Sequence, residues 1–586
     1  MHPVAIPEDK DEVQPTRWSS LIFNAKANLL RLRRRFSDPH GRPKSLPLAN
    51  PEAQGPSIAE SRTPLFPSGP GAEFALQAGK VQNLRIAARH LNGLKLRAGD
   101  LFSFWAHIPR PTTSRGFALG RELRSGCVIP SVGGGLCQLS NALYGLALDA
   151  GWEIVERHAH TRTVPGSTVP HGRDATIFWN YVDLRFRPNI DCQLSVEVFQ
   201  TELHVQLRAL GAGHFPVLPT PSTAHPVEDE DEVEDTDTCE TCGVTSCFRH
   251  PTASALPQQG STAWLVDAWM PEHARYLTRT RQPEDTLLTP LNNAGPYRWS
   301  GSGFASVHTA PSFVVWRSLV SRRLGAQGPA RQRALLSLDQ KLATIYERKI
   351  PVTALHLVVS QNLLPFLWIN GVLAGRTFDV LMTRFPFAAL QAQLDRAAER
   401  WPETPTLADF RADPALVQAE SAALAAARHW ITPHTEIAKL GGTRSILLDW
   451  KQPSLPRQLA GNSILFPAST LSRKGARELR EALSGLHLPL TICGPLLEGE
   501  EFWNGHNVQR AGKDWMNDAA MVILPAWVEH QPRRLLAALS AGIPVICTSS
   551  CGLPPQPGLK LVEEGNVAAL RSAIQDIIQL DSPQNQ

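Results

Sequence analysis

Cys137 follows the turn-forming run Gly133-Gly134-Gly135. Around it Leu136, Leu139, Ala142, Leu143, Leu146 and Leu148 recur at helical spacing. A thiol at a helix start feels the positive end of the helix dipole, which favours the thiolate. His158 and His160 lie further along on an extended-looking segment, and Asp174 and Asn180 are candidates to orient a histidine. A cysteine at a helix start followed by a histidine is what a thiol nucleophile needs, so Cys137, His158 and His160 are the catalytic candidates here. The alternative is a packed Cys137, with Arg157, His158, Arg162 and Arg173 forming a polar binding site.

A second group lies near the C-terminal end. In Ile464–Gly475 an apolar run gives way to a loop carrying Arg473 and Lys474, and a helix is expected from Gly475. Backbone amides at a helix start plus two cations can hold a diphosphate. In Ala520–Thr548 an expected strand delivers a loop with Glu529 and His530. A helix follows, then Ala541-Gly542-Ile543-Pro544 enters another strand. Glu529 could accept hydrogen bonds from sugar hydroxyls or balance positive charge in a transition state. Arg473, Lys474, Gly475, His530 and Gly542 are the residues expected to bind the ligand, with Glu529 in the catalytic role. A third group, Cys239, Cys242, Cys247 and His250, has the first spacing of a zinc knuckle. Zinc, an iron–sulfur centre, and reduced thiols without metal all remain open for it.

The elements that position these groups follow from composition and periodicity. The chain has 586 residues, enough for several domains, with 42% hydrophobic and 19% charged residues. A net charge of +4 is too weak for a dedicated nucleic-acid binder. Nine cysteines, an odd count, and the polar start Met1–Pro15, which is no signal peptide, point to a reducing, cytoplasmic location. Residues 1–72 read as a basic amphipathic segment (17–35) followed by a Pro-rich linker. The basic segment is expected either to touch the inner face of a membrane peripherally or to dock on protein. Residues 73–210 are dense and mixed in pattern. Residues 211–260 hold an acidic tether, with the run Glu228–Asp237, and the cysteine cluster. Beyond 261, short apolar runs alternate with amphipathic helices, which predicts parallel α/β layers divided near 451. Ile350–Gly375 is uncharged over most of its length but carries a polar centre, so it reads as strand, turn and helix rather than a membrane span.

Residues 73–210 closely resemble the VanW family. The match is carried by Gly120–Leu123, Pro130–Asn141, Glu156–His160, Val164–Ser167 and Arg173–Arg187. That resemblance implies association with the cell envelope and an α+β domain. The rear blocks resemble GT-B glycosyltransferases of the family 4 type. Lys474 matches the phosphate-contacting lysine, Glu529 the first carboxylate, and Ser540–Ile546 the helix end and following strand. The second carboxylate position holds Ala537, and His530 and Pro532 replace glycines. This resemblance implies a pair of Rossmann-like lobes, acceptor lobe 261–451 and nucleotide-sugar lobe 452–586. It also implies metal-independent hexosyl transfer from a nucleotide-diphosphate sugar to a glycan or lipid-linked acceptor. Ala537 keeps a competing reading in view, a degenerate fold acting as a binding scaffold. A third reading makes Cys137 a thiol hydrolase or transpeptidase acting on peptidoglycan stems.

Overall fold

A computed structural model describes residues 17–580, apart from 211–258 and the short stretches 37, 39–44, 49–54, 67–72, 125–126, 161–168, 170–171, 293–297, 325–327, 409–410, 459–460 and 513. The cysteine cluster Cys239–His250 and the acidic tether therefore lie outside the described residues. The chain divides into two compact units. The first is Met1–Ser261 with Pro351–His356 and Asn370–Arg376, and the second is the remainder up to Gln586.

The first unit is α+β. The strands Ser57–Pro64, Glu202–Ala209, Cys192–Val198 and Leu94–Leu96 lie side by side in that order, all antiparallel. Alternation in Cys192–Val198 and Glu202–Ala209 sends Leu194, Val196, Leu203, Val205 and Leu207 into the core. The long helix Phe74–Leu91 and the helix Cys137–Asp149 bury their apolar sides in the same core. Residues 36–72 are not simply a linker, because Ser57–Pro64 pairs along Glu202–Ala209. Its sequence SIAESRTP is polar and half exposed, as suits an edge strand, and so gave no apolar signal.

The basic segment forms the helix Arg17–Phe36. Two of its arginines face protein: Arg34 forks onto Glu156 and reaches Tyr181 O at 3.0 Å, and Arg31 donates to Trp179 O at 2.5 Å. Leu29, Leu30, Leu32 and Phe36 remain exposed. Among the described residues no helix is long and apolar enough to cross a membrane. Within 350–375 the strand Ala354–Ser360 is followed by the short helix Leu364–Ile369, as its polar centre predicts.

The second unit carries two sheets. In one, the strands run Val508–Arg510, Leu490–Ile492, Ser463–Phe466, Ala519–Leu524, Val545–Thr548, Leu559–Val562 across the sheet. All five pairings are parallel, and in chain order the sequence is 3-2-1-4-5-6. The other runs Ser306–Thr309, Thr286–Thr289, Ser261–Leu265, Ala354–Ser360, Thr377–Leu381, His429–Thr432, Ser445–Leu447, with the same reversal after its first strand. This is the doubly wound order, and two such sheets in one unit are the GT-B-like pair of lobes expected. Ser445–Leu447 adds a last parallel strand to this sheet beyond His429–Thr432.

Candidate functional site

In the first unit the glycine turn is fixed by its neighbours. Gly133 and Gly135 both have φ of +86°. A Cβ on Gly134 would stand 2.5 Å from the Gly120 carbonyl carbon, so only glycine lets the two backbones touch. Fully buried Asn83 locks the turn, donating to Gly134 O at 2.9 Å and bonding both sides of Ala118. The helix then begins at Cys137. Residues 174–176 are tied to this start. Asn141 Oδ1 accepts from Ala175 N at 2.7 Å, Ser140 Oγ donates to Ala175 O at 2.5 Å, and Cys137 Sγ lies 3.9 Å from Thr176 Oγ1. The histidine segment joins on the other side, with Thr176 N donating to His158 O at 2.8 Å.

This places His160 between Cys137 and Asp174. Asp174 grips His160 twice, accepting from its backbone N at 2.5 Å and bonding ring Nδ1 at 2.6 Å. The Cys137 side chain is the other hydrogen-bond partner of this imidazole. The hydrogen bond with Cys137 foremost, together with the charges of Cys137 and Asp174, raises the His160 imidazole to about 9 despite its burial. His158 is turned elsewhere: its half-exposed ring lies 3.3 Å from Glu156 Oε1, a carboxylate already held by Arg34. Asn180 is exposed.

In the second unit the strand order of the rear sheet reverses between Ser463–Phe466 and Ala519–Leu524. Ligands of such sheets sit in the crevice beyond the carboxyl ends of the two strands flanking that reversal. Arg473 and Lys474 lie on the loop after the first of these strands, and Glu529 and His530 on the loop after the second. The loops are pinned together, since Arg473 O accepts from Trp527 N and Val528 N at 3.1 and 3.2 Å. Lys474 Nζ donates to Glu529 Oε2 at 3.0 Å and to Val528 O at 2.8 Å. Burial pushes the Glu529 carboxyl up, but the Lys474 charge and hydrogen bonds from Gln531, Lys474 and His530 outweigh it and hold it below its ordinary value. Gly475 has φ of +79°, and a Cβ there would be 2.0 Å from Pro525 O. That contact seats the helix Ala476–Leu483 against the second loop.

His530 is half-buried, with its ring tilted over Phe385 at 5.7 Å. Its Nε2 is buried and has no partner. Burial first, then the charges of Lys474, His434, Arg384 and Arg473, hold its imidazole far below the ordinary value. Arg384 from one lobe and Lys474 and Arg473 from the other thus act electrostatically on His530. His434 joins the lobes directly, its Nε2 lying 3.0 Å from Glu529 O and 3.2 Å from Ser550 O. A cavity of about 1000 Å³ in this unit is lined by Arg396, Arg400, Trp527, Glu564, Asn566 and Arg571 among others, and by none of Arg473, Lys474, Glu529 and His530.

Residues 79–210 match the family described as VanW like protein. The Vancomycin B-type resistance protein VanW of Enterococcus faecalis is 32% identical over 144 residues, which is 24% of this chain and 52% of that protein. The protein YoaR of Bacillus subtilis is 35% identical over 108 residues, 18% of this chain and 35% of that protein. Residues 79–210 are a VanW domain. The chain spans about half the length of the first of these relatives and about a third of the second. Two solved structures are similar to the chain. One is the lipopolysaccharide outer core galactosyltransferase WaaB in its apo form (12% identity, 55% of this chain and 91% of that one, TM-score 0.32). The other is Anabaena Alr3699/HepE in complex with UDP (13% identity, 54% and 90%, TM-score 0.32).

Within the VanW domain the structure brings Cys137 and His160 together and leaves His158 aside. In the second unit it gathers Arg473, Lys474, Gly475, Glu529 and His530. Gly542 falls elsewhere. It turns the chain into the amino end of Val545–Thr548, and that strand runs parallel to Ala519–Leu524, so Gly542 lies at the opposite edge from Glu529. Its φ of +80° gives it a backbone role. Sequence reasoning missed Glu564 and Asp267. Glu564 Oε1 accepts from Ser549 Oγ and from Ser550 N and Oγ at 2.8–3.0 Å. Asp267, beyond the first strand of the front sheet, keeps one buried carboxylate oxygen without a partner. A lone acid at a strand end has no periodic signature. Among the described residues no group of three or more His, Cys, Asp or Glu could hold a metal ion.

Proposed function

We propose that the second unit binds a nucleotide-diphosphate sugar and transfers the sugar to a glycan acceptor of the cell envelope, alongside the VanW domain. The observation that supports this reading is the buried, unpartnered Nε2 of His530 within the electrostatic influence of Lys474, Arg473 and Arg384, at the crevice of a doubly wound sheet. A diphosphate supplies the missing charge and the missing hydrogen-bond partner at once. As the bond from sugar to phosphate breaks, negative charge grows on the leaving diphosphate. Lys474 and Arg473 stabilise that charge, and the backbone at Gly475 adds the helix end. Glu529 keeps Lys474 in place and turns its carboxylate toward the sugar. The cavity walled by Trp527 and Glu564 has room for a nucleoside, and Glu564 offers a carboxylate where Ala537 does not. Envelope acceptors are proposed from the VanW-type relative, whose name places it in vancomycin resistance.

The test uses the full chain with a panel of UDP- and GDP-hexoses and reads nucleoside diphosphate release and UDP or GDP binding. Release that falls about a hundredfold or more in Glu529→Gln supports transfer. Tight nucleotide binding with no release from any donor instead supports the scaffold, a reading favoured by the way His434 ties the two lobes together. Neither binding nor release overturns both.

A further inference from the structure

The VanW domain holds a constellation that sugar transfer does not use. We infer that Cys137, His160 and Asp174 form a thiol acyl-transfer site that takes an amide or ester carbonyl and forms a thioester on Cys137. The inference does not depend on the reading given for the second unit.

The geometry is that of a nucleophile, its base and the base's orienting group. Cys137 is the first residue of a helix of 13 residues, behind a glycine turn locked by Asn83. Asp174 holds both the backbone and Nδ1 of His160, which fixes the ring, and the Cys137 side chain is the other hydrogen-bond partner of that imidazole. The segment bearing Asp174 is itself bonded to Ser140 and Asn141, one turn past Cys137. Two hydrogen-bonded links therefore set the sulfur-to-imidazole approach. The other free cysteines of the described residues differ sharply. Cys192, Cys493, Cys547 and Cys551 are all buried, and burial pushes the Cys192 thiol up to about 12. Cys137 alone among them is partly open to solvent. A structural cysteine needs neither that opening nor a histidine held twice by a carboxylate.

The step balances without any further reactant than water or an amine. The Cys137 thiolate attacks the carbonyl carbon and an S–C bond forms. The C–N or C–O bond breaks, and the leaving amine or alcohol takes the proton carried by His160. Neutral His160 then accepts a proton from water, or from a second amine, as that group attacks the thioester. The S–C bond breaks and the thiolate–imidazolium pair is restored. Asp174 touches no reacting atom and is a positioning residue.

The experiment measures alkylation of the folded full chain by iodoacetamide, with the labelled peptide assigned by mass spectrometry, from pH 5 to 8. Cys137 is expected to react at least tenfold faster than glutathione at pH 6, with a nearly flat profile across the range. His160→Gln should restore the steep rise with pH of an ordinary thiol. Asp174→Asn should shift the profile toward that behaviour without abolishing it. With p-nitrophenyl acetate, a burst of about one p-nitrophenolate per chain is expected, absent in Cys137→Ser. If Cys137 in wild-type protein with intact circular dichroism reacts no faster than glutathione, the site is not a nucleophile. If alkylation is fast but no burst appears, acyl transfer is overturned. The wild-type pH profile decides the ion pair even where His160→Gln fails to fold.

Discussion

The two sites solve charge in opposite ways. In the VanW domain every acid near the site is matched inside the protein: Asp174 by His160, Glu156 by Arg34, and Asp183 by Arg185. In the crevice of the second unit Lys474 pairs with Glu529 and Arg384 with Glu420, but among the described residues His530 Nε2 is left buried without a partner. The first arrangement is a finished machine whose charges rearrange among its own atoms. The second leaves one buried polar atom unsatisfied among the described residues. An acid–base site can be recognised from internal bonds, whereas an anion site is recognised from what is missing.

The largest expected effect tests how completely the first unit balances itself. Arg185 is buried and holds Asp183 at 2.9 Å and both oxygens of Asp38 at 2.8 and 2.9 Å. Arg185→Met strands the fully buried Asp183, and removing one partner of such a pair costs about 3–5 kcal/mol. Calorimetry should show a transition lowered by roughly 10 °C, while UDP binding stays unchanged. The second comparison sets two glycines side by side. Gly475 and Gly135 have φ of +79° and +86°, yet a Cβ at Gly475 meets the backbone Pro525 O at 2.0 Å, while one at Gly135 meets the Lys80 side chain at 2.2 Å. Backbone cannot step aside, and neither can Cβ and Cγ of buried Lys80, the near end of its side chain. Gly475→Ala and Gly135→Ala are each expected to cost about 2–4 kcal/mol, read from urea midpoints, and a Gly135→Ala cost below about 1 kcal/mol would show that the Lys80 side chain can yield where backbone cannot.

Legibility in the sequence divides along the same line. The pieces of the thiol site lie within forty positions and sit in local blocks, so the glycine run, the cysteine and the histidines could be read in order. What could not be read was which histidine faces the sulfur. His158 and His160 are equivalent in type and neighbourhood, and only the carboxylates at 156 and 174 separate them. In the rear sheet the strands Ser463–Phe466 and Ala519–Leu524 and the helix Arg533–Ser540 follow from apolar runs, and the loop residues follow from those runs. Arg384 and Glu564 reach the same crevice from other elements, and only the folded topology brings them there. Gly542 was misassigned because a glycine at a strand entry looks the same whether it serves a ligand or a turn. The edge strand Ser57–Pro64 escaped because only one of its sides is covered.

Lys474 separates stability from binding. Its pair with Glu529 is partly exposed, with side-chain exposures of 20% and 16%. Lys474→Met should therefore cost about 1 kcal/mol or less in unfolding. Nucleotide affinity should fall about tenfold to a hundredfold, the worth of a charged hydrogen bond to phosphate, as titration calorimetry with UDP or GDP would show. Equal losses in both would make the lysine a structural cation and remove the contrast between the sites.

The smallest effect is the pH dependence of the VanW domain. The folded value of His160 is raised to about 9 from 6.5 by Cys137 and Asp174. A raised value contributes stability that is fully present below 6.5 and is lost as pH rises through about 9. Urea unfolding of wild type and His160→Gln should differ most near pH 6, and the difference should shrink steadily to pH 9.5. Because the Cys137 hydrogen bond is the foremost cause, Cys137→Ser should bring the His160 midpoint down toward 6.5 in a proton NMR titration, while Asp174 keeps it from falling all the way. A midpoint unmoved by Cys137→Ser would mean that Asp174 alone sets the imidazole, and that sulfur and ring are neighbours without being partners.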